Sequence, residues 1–361
     1  MNHEQELYRI LDAAANRARE GLRVIEDYAR FVLNDPFLTE QLKQTRHELA
    51  QAMQMLPSAA LLKQRDTLHD VGTSLSTPAE GQRQDAAAVL TANWKRLQEA
   101  LRSLEEFSKP LPESPACHFE SLRYRCYTLE RAMVVNESSK QKLAQAQLYL
   151  LLDCRASLEE FRDLAAMLIA SPVDVIQLRD KKADDRTLLA RGLLLRRLLR
   201  NRAASNHRVP LFIINDRPDL AVLCDADGVH VGQEEIPVAA ARKIVGPDLL
   251  IGVSTHSLVQ ARQAVLEGAD YIGVGPTFPS RTKDFSVFPG LDLLRQVSAE
   301  ITLPAFAIGG IQAGNLVSVL QTGFYRVAVG SAILAAADPS QACVQLVDVL
   351  SASQAESVQP F

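Results

Sequence analysis

The segment from Gly275 to Lys283 has the residue types of an anion-binding loop. It reads Gly-Pro-Thr-Phe-Pro-Ser-Arg-Thr-Lys and follows an apolar run, Tyr271 to Val274. Glycine and proline end that run, and two hydroxyl groups and a lysine follow within a few residues. Hydroxyl and ammonium groups donate hydrogen bonds to phosphate oxygens. The sequence therefore predicts phosphate binding at the end of a buried strand.

A second candidate site combines cationic side chains with an amide at the end of another apolar run. Gln177, Arg179 and Lys181 alternate along a predicted strand, so their side chains project to the same face. Two cations and an amide on one face are suited to a diphosphate. The alternative is a strand edge with solvated charges, but a charged inner face is uncommon in a barrel strand, so we favour binding.

Carboxylates follow the next two predicted strands. Asp216 stands at the end of one strand, and Glu235 closes the segment that begins at Gly232 after the next. Mg²⁺ prefers one or two carboxylates together with phosphate oxygens, so both side chains are candidate ligands. Because Pro218 follows, Asp216 has the alternative of capping a helix, and Glu235 taken alone could belong to an acidic loop.

Three later strands end in further polar groups. Ser254 could bond a ligand, and His256 could be a general acid or base or a structural residue. Gly310 and Gly330, the latter followed by Ser331, would expose main-chain N–H groups of the kind that hold a phosphate monoester in barrels. The strand ends together predict two anionic ligands, a metal-bound diphosphate and a monophosphate.

The elements that position these groups alternate between strand and helix after residue 147. Near-continuous apolar strands separated by amphipathic segments are typical of a parallel sheet covered by helices. Eight such units in about 200 residues favour a closed (β/α)8 TIM barrel over an open doubly wound sheet, which would have a glycine-rich turn after its first strand. The predicted strands are Leu148–Asp153, Val175–Asp180, Leu211–Asp216, Gly228–Gly232, Leu249–Ser254, Tyr271–Pro276, Pro304–Gly310 and Arg326–Ser331.

Residues 1–133 have helical periodicity instead, which predicts an all-α domain before the barrel. The segment 57–84 is rich in proline and glycine and is predicted to be an irregular loop. The polar segment 134–147 is predicted to be a linker to the barrel domain, 148–361.

The helical half contains an internal repeat, because Glu20–Tyr28 matches Glu99–Phe107 position by position. Each copy has one buried stripe of leucine, isoleucine and aromatic positions, with Arg23 or Arg102 beside it. Arginine and glutamate at helical spacing favour surface ion pairs, each worth roughly a few tenths of a kcal/mol. The less favoured alternative is a duplicated hairpin whose arginines face an anion or the second domain.

Composition excludes several function classes. The 361 residues are 47% hydrophobic and carry a net charge of −4, which leaves no basic excess for nucleic-acid binding. No run approaches the roughly 18 apolar residues of a membrane span, and the polar N-terminus has no signal region. Five scattered cysteines without CxxC spacing indicate reduced thiols. We expect a cytoplasmic protein that binds small molecules, and the sequence leaves open whether it forms a homo-oligomer.

Residues 148–340 resemble the thiamine-phosphate synthases, which are (β/α)8 barrels. The family joins 4-amino-5-hydroxymethyl-2-methylpyrimidine diphosphate to 4-methyl-5-(2-phosphoethyl)thiazole, which in bacteria can carry a 2-carboxylate that is lost. The resemblance implies a Mg²⁺-assisted transferase that forms thiamine phosphate and pyrophosphate by a dissociative reaction without a covalent nucleophile. It rests on Gln177–Lys181, Asn215-Asp216, Asp227–Glu235, Gly252–Ser254, Gly275-Pro276 with Ser280–Lys283, and Ile308–Ile311.

The resemblance also implies roles for individual residues. The pyrimidine diphosphate would be bound by Gln177, Leu178, Arg179, Asp180, Lys181, Asn215, Ser254 and Lys283. The thiazole phosphate would be bound by Ser280, Arg281, Thr282, Gly310, Gly330 and Ser331, and Mg²⁺ by Asp216 and Glu235. The expected catalytic residues are Arg179, Lys181, Lys283 and Ser254. Glu235 and Ser280 stand where aspartate and threonine are usual in the family, and the longer Glu235 bears on metal affinity.

Two other functions stay open on the same residues. One is a thiazole tautomerase-like isomerase on a similar barrel, and the other is a non-catalytic regulator linked to thiamine. The tautomerase needs neither a diphosphate nor a metal, so the charged strand ends argue against it. Intact phosphate and metal positions argue against the regulator. The helical half resembles an N-terminal extension of some bacterial, notably cyanobacterial, members, for which the resemblance implies no established role.

Overall fold

The computed structural model describes residues 3–67, 69–71, 82–279 and 289–357. The chain divides into two compact units, Met1–Val134 and Val135–Phe361. The described part of the first unit is helical, and the second unit contains a closed barrel of parallel strands. None of the helices in these ranges combines the length and hydrophobicity of a membrane span.

Five helices begin the chain. They are α1 (His3–Phe31), α2 (Pro36–Gln54), α3 (Ser58–Lys63), α4 (Ala86–Ser108) and α5 (Ala116–Lys142). Asp35 caps α2 by accepting the Leu38 N–H at 2.8 Å, and Pro36 occupies the first turn, where its missing N–H costs no hydrogen bond. The short helix α3 lies in the segment that was predicted to be irregular, so that prediction is wrong for its first residues.

The two repeated segments lie on α1 and α4, which pack against each other. Gly21 allows the close approach, because a Cβ atom at this position would lie 3.3 Å from the main-chain oxygen of Asn93. Leu22 and Leu101, the equivalent residues of the two repeats, are both 1% exposed. The repeat therefore builds the core between these two helices.

Each repeat also places a buried glutamate between two arginines, one on its own helix and one on the next helix along the chain. In the second repeat, Glu105 accepts from Arg102 Nη1 at 2.7 Å and from Arg123 Nε at 2.9 Å. In the first repeat the corresponding residues are Glu26, Arg23 and Arg46. Because Arg23 and Arg102 both pair with these glutamates, the geometry supports the ion-pair interpretation of the repeat over the anion-binding one.

Eight parallel strands form the barrel, and consecutive strands are neighbours all the way round. They are β1 (Leu148–Leu152), β2 (Val175–Leu178), β3 (Leu211–Asn215), β4 (Gly228–Val231), β5 (Leu250–Thr255), β6 (Tyr271–Val274), β7 (Ala305–Ile308) and β8 (Val327–Val329). All eight predicted strands are confirmed. Most are shorter than predicted, because the polar residues at their ends belong to the loops that carry the candidate site.

Helices cover the outside of the barrel. They are α6 (Leu158–Ala170), α7 (Asp185–Ala204), α8 (Pro218–Leu223), α9 (Val238–Val245), α10 (Leu258–Glu267), α11 (Gly290–Glu300), α12 (Leu316–Leu320), α13 (Ser331–Leu334) and α14 (Pro339–Ser357). A capping box at Ser157 and Glu160 fixes the start of α6.

Aspartates tie the starts of successive strands together at the end of the barrel opposite the loops described above. Asp174, Asp227 and Asp270 each precede an even-numbered strand and accept a main-chain N–H of the preceding odd-numbered strand. Each also pairs with an arginine, and these partners are Arg208, Arg196 and Arg242 in that order. The residue before β8 is Arg326, so the fourth pair of strands lacks this arrangement.

The segment 134–147, predicted to be a linker, packs against the same end of the barrel. Helix α5 extends through much of it, and the buried Ser139 hydroxyl donates to Asp270 Oδ1 at 3.0 Å. Leu143 and Ala146 join the hydrophobic core of the barrel. The segment has few apolar residues, but these and its buried hydroxyl make it a structural part of the barrel.

We predict that Glu105→Gln destabilises the helical unit. The substitution leaves Arg123, whose side chain is 10% exposed, without its ionic partner, and removing one member of a buried pair costs about 3 kcal/mol. Fluorescence of Trp94, the single tryptophan, reports unfolding of this unit in urea. Glu106→Gln is the matched control, since that side chain is 40% exposed and its loss should cost less than about 1 kcal/mol. Equal effects of the two variants would contradict the prediction.

We also predict that Asp270→Asn destabilises the barrel. Its carboxylate accepts from Arg242 at 2.5 Å, from the Ile251 N–H at 2.8 Å and from Ser139 at 3.0 Å. Losing the charge of such a buried acceptor should cost about 3 kcal/mol. Asp225→Asn is the control, since its pair with Arg200 is exposed and should contribute below about 1 kcal/mol. Circular dichroism during heating measures the unfolding midpoint of each variant. An equal shift of the midpoint in both variants would contradict the prediction.

Candidate active site

A cavity of about 580 Å³ lies where the carboxyl ends of the strands meet. Active sites of (β/α)8 barrels occupy this face. The carboxyl ends of β2, β3 and β5, and the loops after β2, β7 and β8, bring most of the predicted site residues into its lining. These are Gln177, Arg179, Asp180, Lys181, Asn215, Ser254, Gly310, Gly330 and Ser331.

Other predicted residues lie elsewhere. Leu178 is 1% exposed and follows Gln177 in β2, so its side chain projects away from the cavity into the core. Asp216 and Glu235 lie outside this lining, but both contact Lys181, which belongs to it. The predicted residues Ser280, Arg281, Thr282 and Lys283 lie outside the described residues.

Asp216 and Glu235 converge on one ammonium group. The Lys181 Nζ atom lies 3.4 Å from Asp216 Oδ2 and 3.2 Å from Glu235 Oε1. Partial burial opposes the charge of Lys181, but the two carboxylates hold its pKa above the ordinary value. Residues from the ends of β2, β3 and β4 thus meet at a single cation.

The backbone at Asp216 directs this carboxylate. Its φ angle is 61°, in the left-handed region that aspartate tolerates better than most residues. The Asp216 N–H donates to the His230 carbonyl at 2.7 Å, and the Asn215 amide donates to Asp216 Oδ2 at 2.6 Å. The N-cap residue of α8 is Arg217, so the alternative of a helix-capping Asp216 is wrong.

Gly232 gives Glu235 its position. A Cβ atom at Gly232 would overlap the Glu235 Oε2 atom, so the lack of a side chain at Gly232 leaves the space that this carboxylate occupies. The side chain of Glu235 is 26% exposed and contacts Lys181 on one side. The loop therefore brings the Glu235 carboxylate to the same ammonium group that Asp216 contacts.

The Asp180 carboxylate accepts main-chain hydrogen bonds from the loops around it. Its Oδ1 atom accepts the N–H groups of Lys182 at 2.9 Å and Ala183 at 3.2 Å. Its Oδ2 atom accepts the N–H of Cys154 at 3.2 Å, which joins the loops after β1 and β2. These bonds use the carboxylate to hold the loop that carries Arg179 and Lys181.

The floor of the cavity is aromatic, and a chain of polar contacts joins three of its residues. Gln177 Nε2 donates to the Tyr149 hydroxyl at 3.0 Å, and the Tyr149 and Tyr271 hydroxyls are 2.9 Å apart. Phe306 packs edge-on against both tyrosine rings. The predicted diphosphate residue Gln177 is 2% exposed, so it also serves as part of this floor.

His230 is a cavity residue for which sequence reasoning assigned no role. Its Nε2 atom lies 3.0 Å from the Ser254 hydroxyl, while its buried Nδ1 atom has no hydrogen-bond partner among the described residues. Burial and the positive charge of Arg179 lower the pKa of His230 to about 4, so the imidazole is neutral near pH 7. The available signal was its place in Gly-Val-His-Val, where alternation turns the histidine inward with Gly228.

His256 joins two loops at the cavity wall. Its Nδ1 atom lies 2.5 Å from the carbonyl oxygen of Gly275, where the segment after β6 begins. Thr277 and Phe278 are in turn held by main-chain bonds to Ile308 and Gly309 after β7. This contact supports the structural interpretation of His256.

The two halves of the chain match different family models. A family model described as "Thiamine monophosphate synthase" matches residues 148–333, and a model of the ThiD2 family matches residues 9–132. A thiamine-phosphate synthase of Rhodopirellula baltica is 49% identical over 334 residues, covering 90% of this chain and 88% of that protein. This chain belongs to the thiamine-phosphate synthase family.

Further relatives and a solved structure are consistent with this assignment. The thiamine-phosphate synthase of Gloeobacter violaceus is 42% identical, covering 94% of this chain and 95% of that protein. A thiamine phosphate pyrophosphorylase structure from Pyrococcus furiosus is 33% identical with a TM-score of 0.50, covering 61% of this chain and 98% of that chain. Both sequence relatives described here are named as synthases, which favours that activity over the tautomerase and regulator alternatives.

We predict that Gly252→Ala disrupts the cavity floor. The added Cβ would overlap the Tyr271 ring and lie 2.5 Å from His230 Nδ1, and overpacking of this kind costs about 1–3 kcal/mol. Synthase activity should fall by about tenfold or more as the two rings move. Gly314→Ala is the control, because a Cβ there meets nothing within 4 Å. Wild-type activity and melting temperature in Gly252→Ala would show that the floor tolerates the change.

Proposed function

We propose that the barrel joins 4-amino-5-hydroxymethyl-2-methylpyrimidine diphosphate to 4-methyl-5-(2-phosphoethyl)thiazole at this cavity. The products are thiamine phosphate and pyrophosphate, with CO₂ also released from the 2-carboxylated thiazole. The observation that carries the proposal is the convergence of Asp216 and Glu235 on Lys181, beside the cavity that Arg179 also lines. Two carboxylates and two cations at one place suit a metal-bound diphosphate.

The carboxylate pair fits Mg²⁺. Both side chains already contact one cation, the Lys181 ammonium, at 3.4 and 3.2 Å. Within the described ranges no group of three or more His, Cys, Asp or Glu side chains is arranged around a metal position. Mg²⁺ usually binds through one or two carboxylates and takes its other ligands from water and substrate phosphate. Bound there, it would neutralise charge on the diphosphate oxygens.

Arg179 and Lys181 stabilise the leaving group in this proposal. Departure of pyrophosphate breaks the bond between the pyrimidine methylene carbon and the bridging oxygen, so negative charge develops on that oxygen. Cationic donors held in place stabilise such charge without first having to reorganise. The bonds of Asp180 to the loop main chain keep the two cations oriented during this step.

The aromatic floor suits the pyrimidine-stabilised cation that remains. Tyr149, Tyr271 and Phe306 exclude water, which would otherwise compete with the thiazole nitrogen for the carbon. Ser254 and His230 also line the cavity, and their side chains can form hydrogen bonds there. The thiazole nitrogen then forms the new bond to the methylene carbon, and no covalent enzyme intermediate is required.

The monophosphate of the thiazole is assigned to the ends of β7 and β8. Gly310, Gly330 and Ser331 line this side of the cavity. Gly310 has a φ angle of +65°, which favours glycine and turns the chain sharply after β7. The roles of Ser280, Arg281, Thr282 and Lys283 at the same phosphate and at the diphosphate remain predictions.

A discontinuous assay tests the proposed activity. The purified full-length protein is incubated with the pyrimidine diphosphate, the thiazole phosphate and Mg²⁺, and thiamine phosphate is separated and quantified. We expect product that disappears when EDTA is added and returns when Mg²⁺ is restored. Absence of thiamine phosphate from folded protein under these conditions would refute the proposal.

We predict that Asp216→Asn and Glu235→Gln raise the Mg²⁺ concentration needed for half-maximal activity by at least about tenfold, since each removes an anionic ligand. Glu235→Asp keeps the charge with a shorter side chain, so its effect should be smaller than that of Glu235→Gln. Asp219→Asn is the control, because this carboxylate lies on α8 and pairs with Arg217. Unchanged Mg²⁺ titrations in Asp216→Asn and Glu235→Gln would refute the metal assignment, whatever their maximal rates.

A further inference from the structure

Arg155, in the loop after β1, is a cavity residue to which the proposed roles assign nothing. It lines the cavity together with Gly330 and Ser331 from the end of β8. Its φ angle is +53°, in the left-handed region that is unfavourable for a side chain as large as arginine. Backbone strain of this kind is concentrated at functional sites. The loop therefore holds Arg155 in a conformation that its own sequence does not favour.

The guanidinium of Arg155 is held in place at two points. Its Nε atom lies 3.3 Å from Asp153 Oδ1, and its Nη2 atom donates to the Leu334 carbonyl at 3.4 Å. Leu334 ends α13, the short helix that begins at Ser331 directly after β8. The guanidinium thus reaches from the end of β1 toward the strand end where the monophosphate is assigned.

These two contacts leave donor capacity for a ligand. A guanidinium has five N–H groups, and neither contact is short enough to be a strong charge-assisted bond. The side chain is 27% exposed, so it is partly desolvated while still open to the cavity. Asp153 is more exposed, at 42%, and so only partly offsets the positive charge.

The distribution of charge around the cavity indicates which ligand this is. Among the described residues that line the cavity, the other lysines and arginines are Arg179, Lys181 and Lys182, all from the loop after β2. Those lie with the carboxylates of the diphosphate site. Arg155 is the described cationic side chain of the lining whose guanidinium contacts α13, the helix that begins at Ser331 directly after β8. Without it, Ser331 and neutral glycine backbone would face a dianion.

We propose that Arg155 binds the phosphate of the thiazole substrate and thereby selects a phosphorylated acceptor. The inference rests on the proposed function, because it names a further residue for the second substrate of that reaction. Phosphate and the 2-carboxylate of the carboxylated thiazole share the chemistry that a guanidinium recognises. The contact with Leu334, three residues after Ser331, favours the phosphate.

Steady-state kinetics of Arg155→Ala and Arg155→Lys test this inference. Each enzyme is assayed with the thiazole phosphate and with the corresponding unphosphorylated thiazole alcohol. Arg155→Ala should raise KM for the thiazole phosphate by about tenfold to a hundredfold, the effect of one hydrogen bond to a charged group. KM for the alcohol and for the pyrimidine diphosphate should change by less than about twofold. Arg155→Lys should restore part of the loss, because it keeps the charge but not the fork.

The matched control is Arg162→Ala. Arg162 lies on the outer helix α6 and pairs with Asp163 and Glu159, and its side chain is 51% exposed. It should behave as wild type with both acceptors. Melting temperatures of all variants are recorded, because a purely structural Arg155 would lower stability and kcat without discriminating between the two acceptors.

Three outcomes would overturn the inference. The first is an equal rise in KM for the phosphate and the alcohol, and the second is an unchanged KM with lower stability. The third is a loss confined to the carboxylated thiazole phosphate, which would move the contact to the carboxylate. If wild-type protein forms no thiamine phosphate, the proposed function fails separately. Calorimetric binding of the thiazole phosphate to wild type and Arg155→Ala then still decides whether Arg155 holds the phosphate.

Discussion

The main-chain pairing of β1 with β8 is the constraint on which the site depends. Leu148, Tyr149 and Leu150 pair with Val327, Ala328 and Val329, and this ladder turns a row of parallel strands into a ring. In an open sheet the loops after the first and last strands would lie at opposite edges. Closure instead brings them to the same cavity wall, which is why Arg155 meets the α13 segment. The barrel thus converts the order of strands along the chain into an order of functional groups around one cavity.

Charge is divided unevenly around that ring. The loops after β2, β3 and β4 hold cations and carboxylates in contact, as shown by Lys181 between Asp216 and Glu235. The floor is aromatic, and burial lowers the pKa of His230 beside it, so this imidazole is neutral near pH 7. Such a layout places strong electrostatic groups where a leaving diphosphate would be and weakly polar groups where a cationic intermediate would be. In the proposed reaction, charges held in fixed positions would stabilise the departing diphosphate.

Much of the fold could be predicted because its signal is local. Apolar runs bounded by glycine, proline and charge predicted all eight strands, and alternation placed Gln177 and Arg179 on the inner face. The segment 134–147 was misinterpreted because its packing depends on a few residues, such as Ser139, whose partner Asp270 lies far away along the chain. His230 and Arg155 were not assigned roles for a similar reason. Their importance follows from burial and from a left-handed backbone, and neither property can be read from residue type or spacing.

The aspartates at the strand starts have a consequence for the order in which the barrel assembles. Each ties two successive strands over a short stretch of chain, as Asp174 does for Leu148, 26 residues away. Closing β1 onto β8 joins residues far more distant in sequence, and loop-closure entropy makes such contacts late. Strand β8 is preceded by Arg326 instead of an aspartate, and β8 is the strand that completes the ring. We therefore expect partly folded chains to contain paired strands but no complete binding cavity, so that ligand affinity is acquired only at the last step of folding.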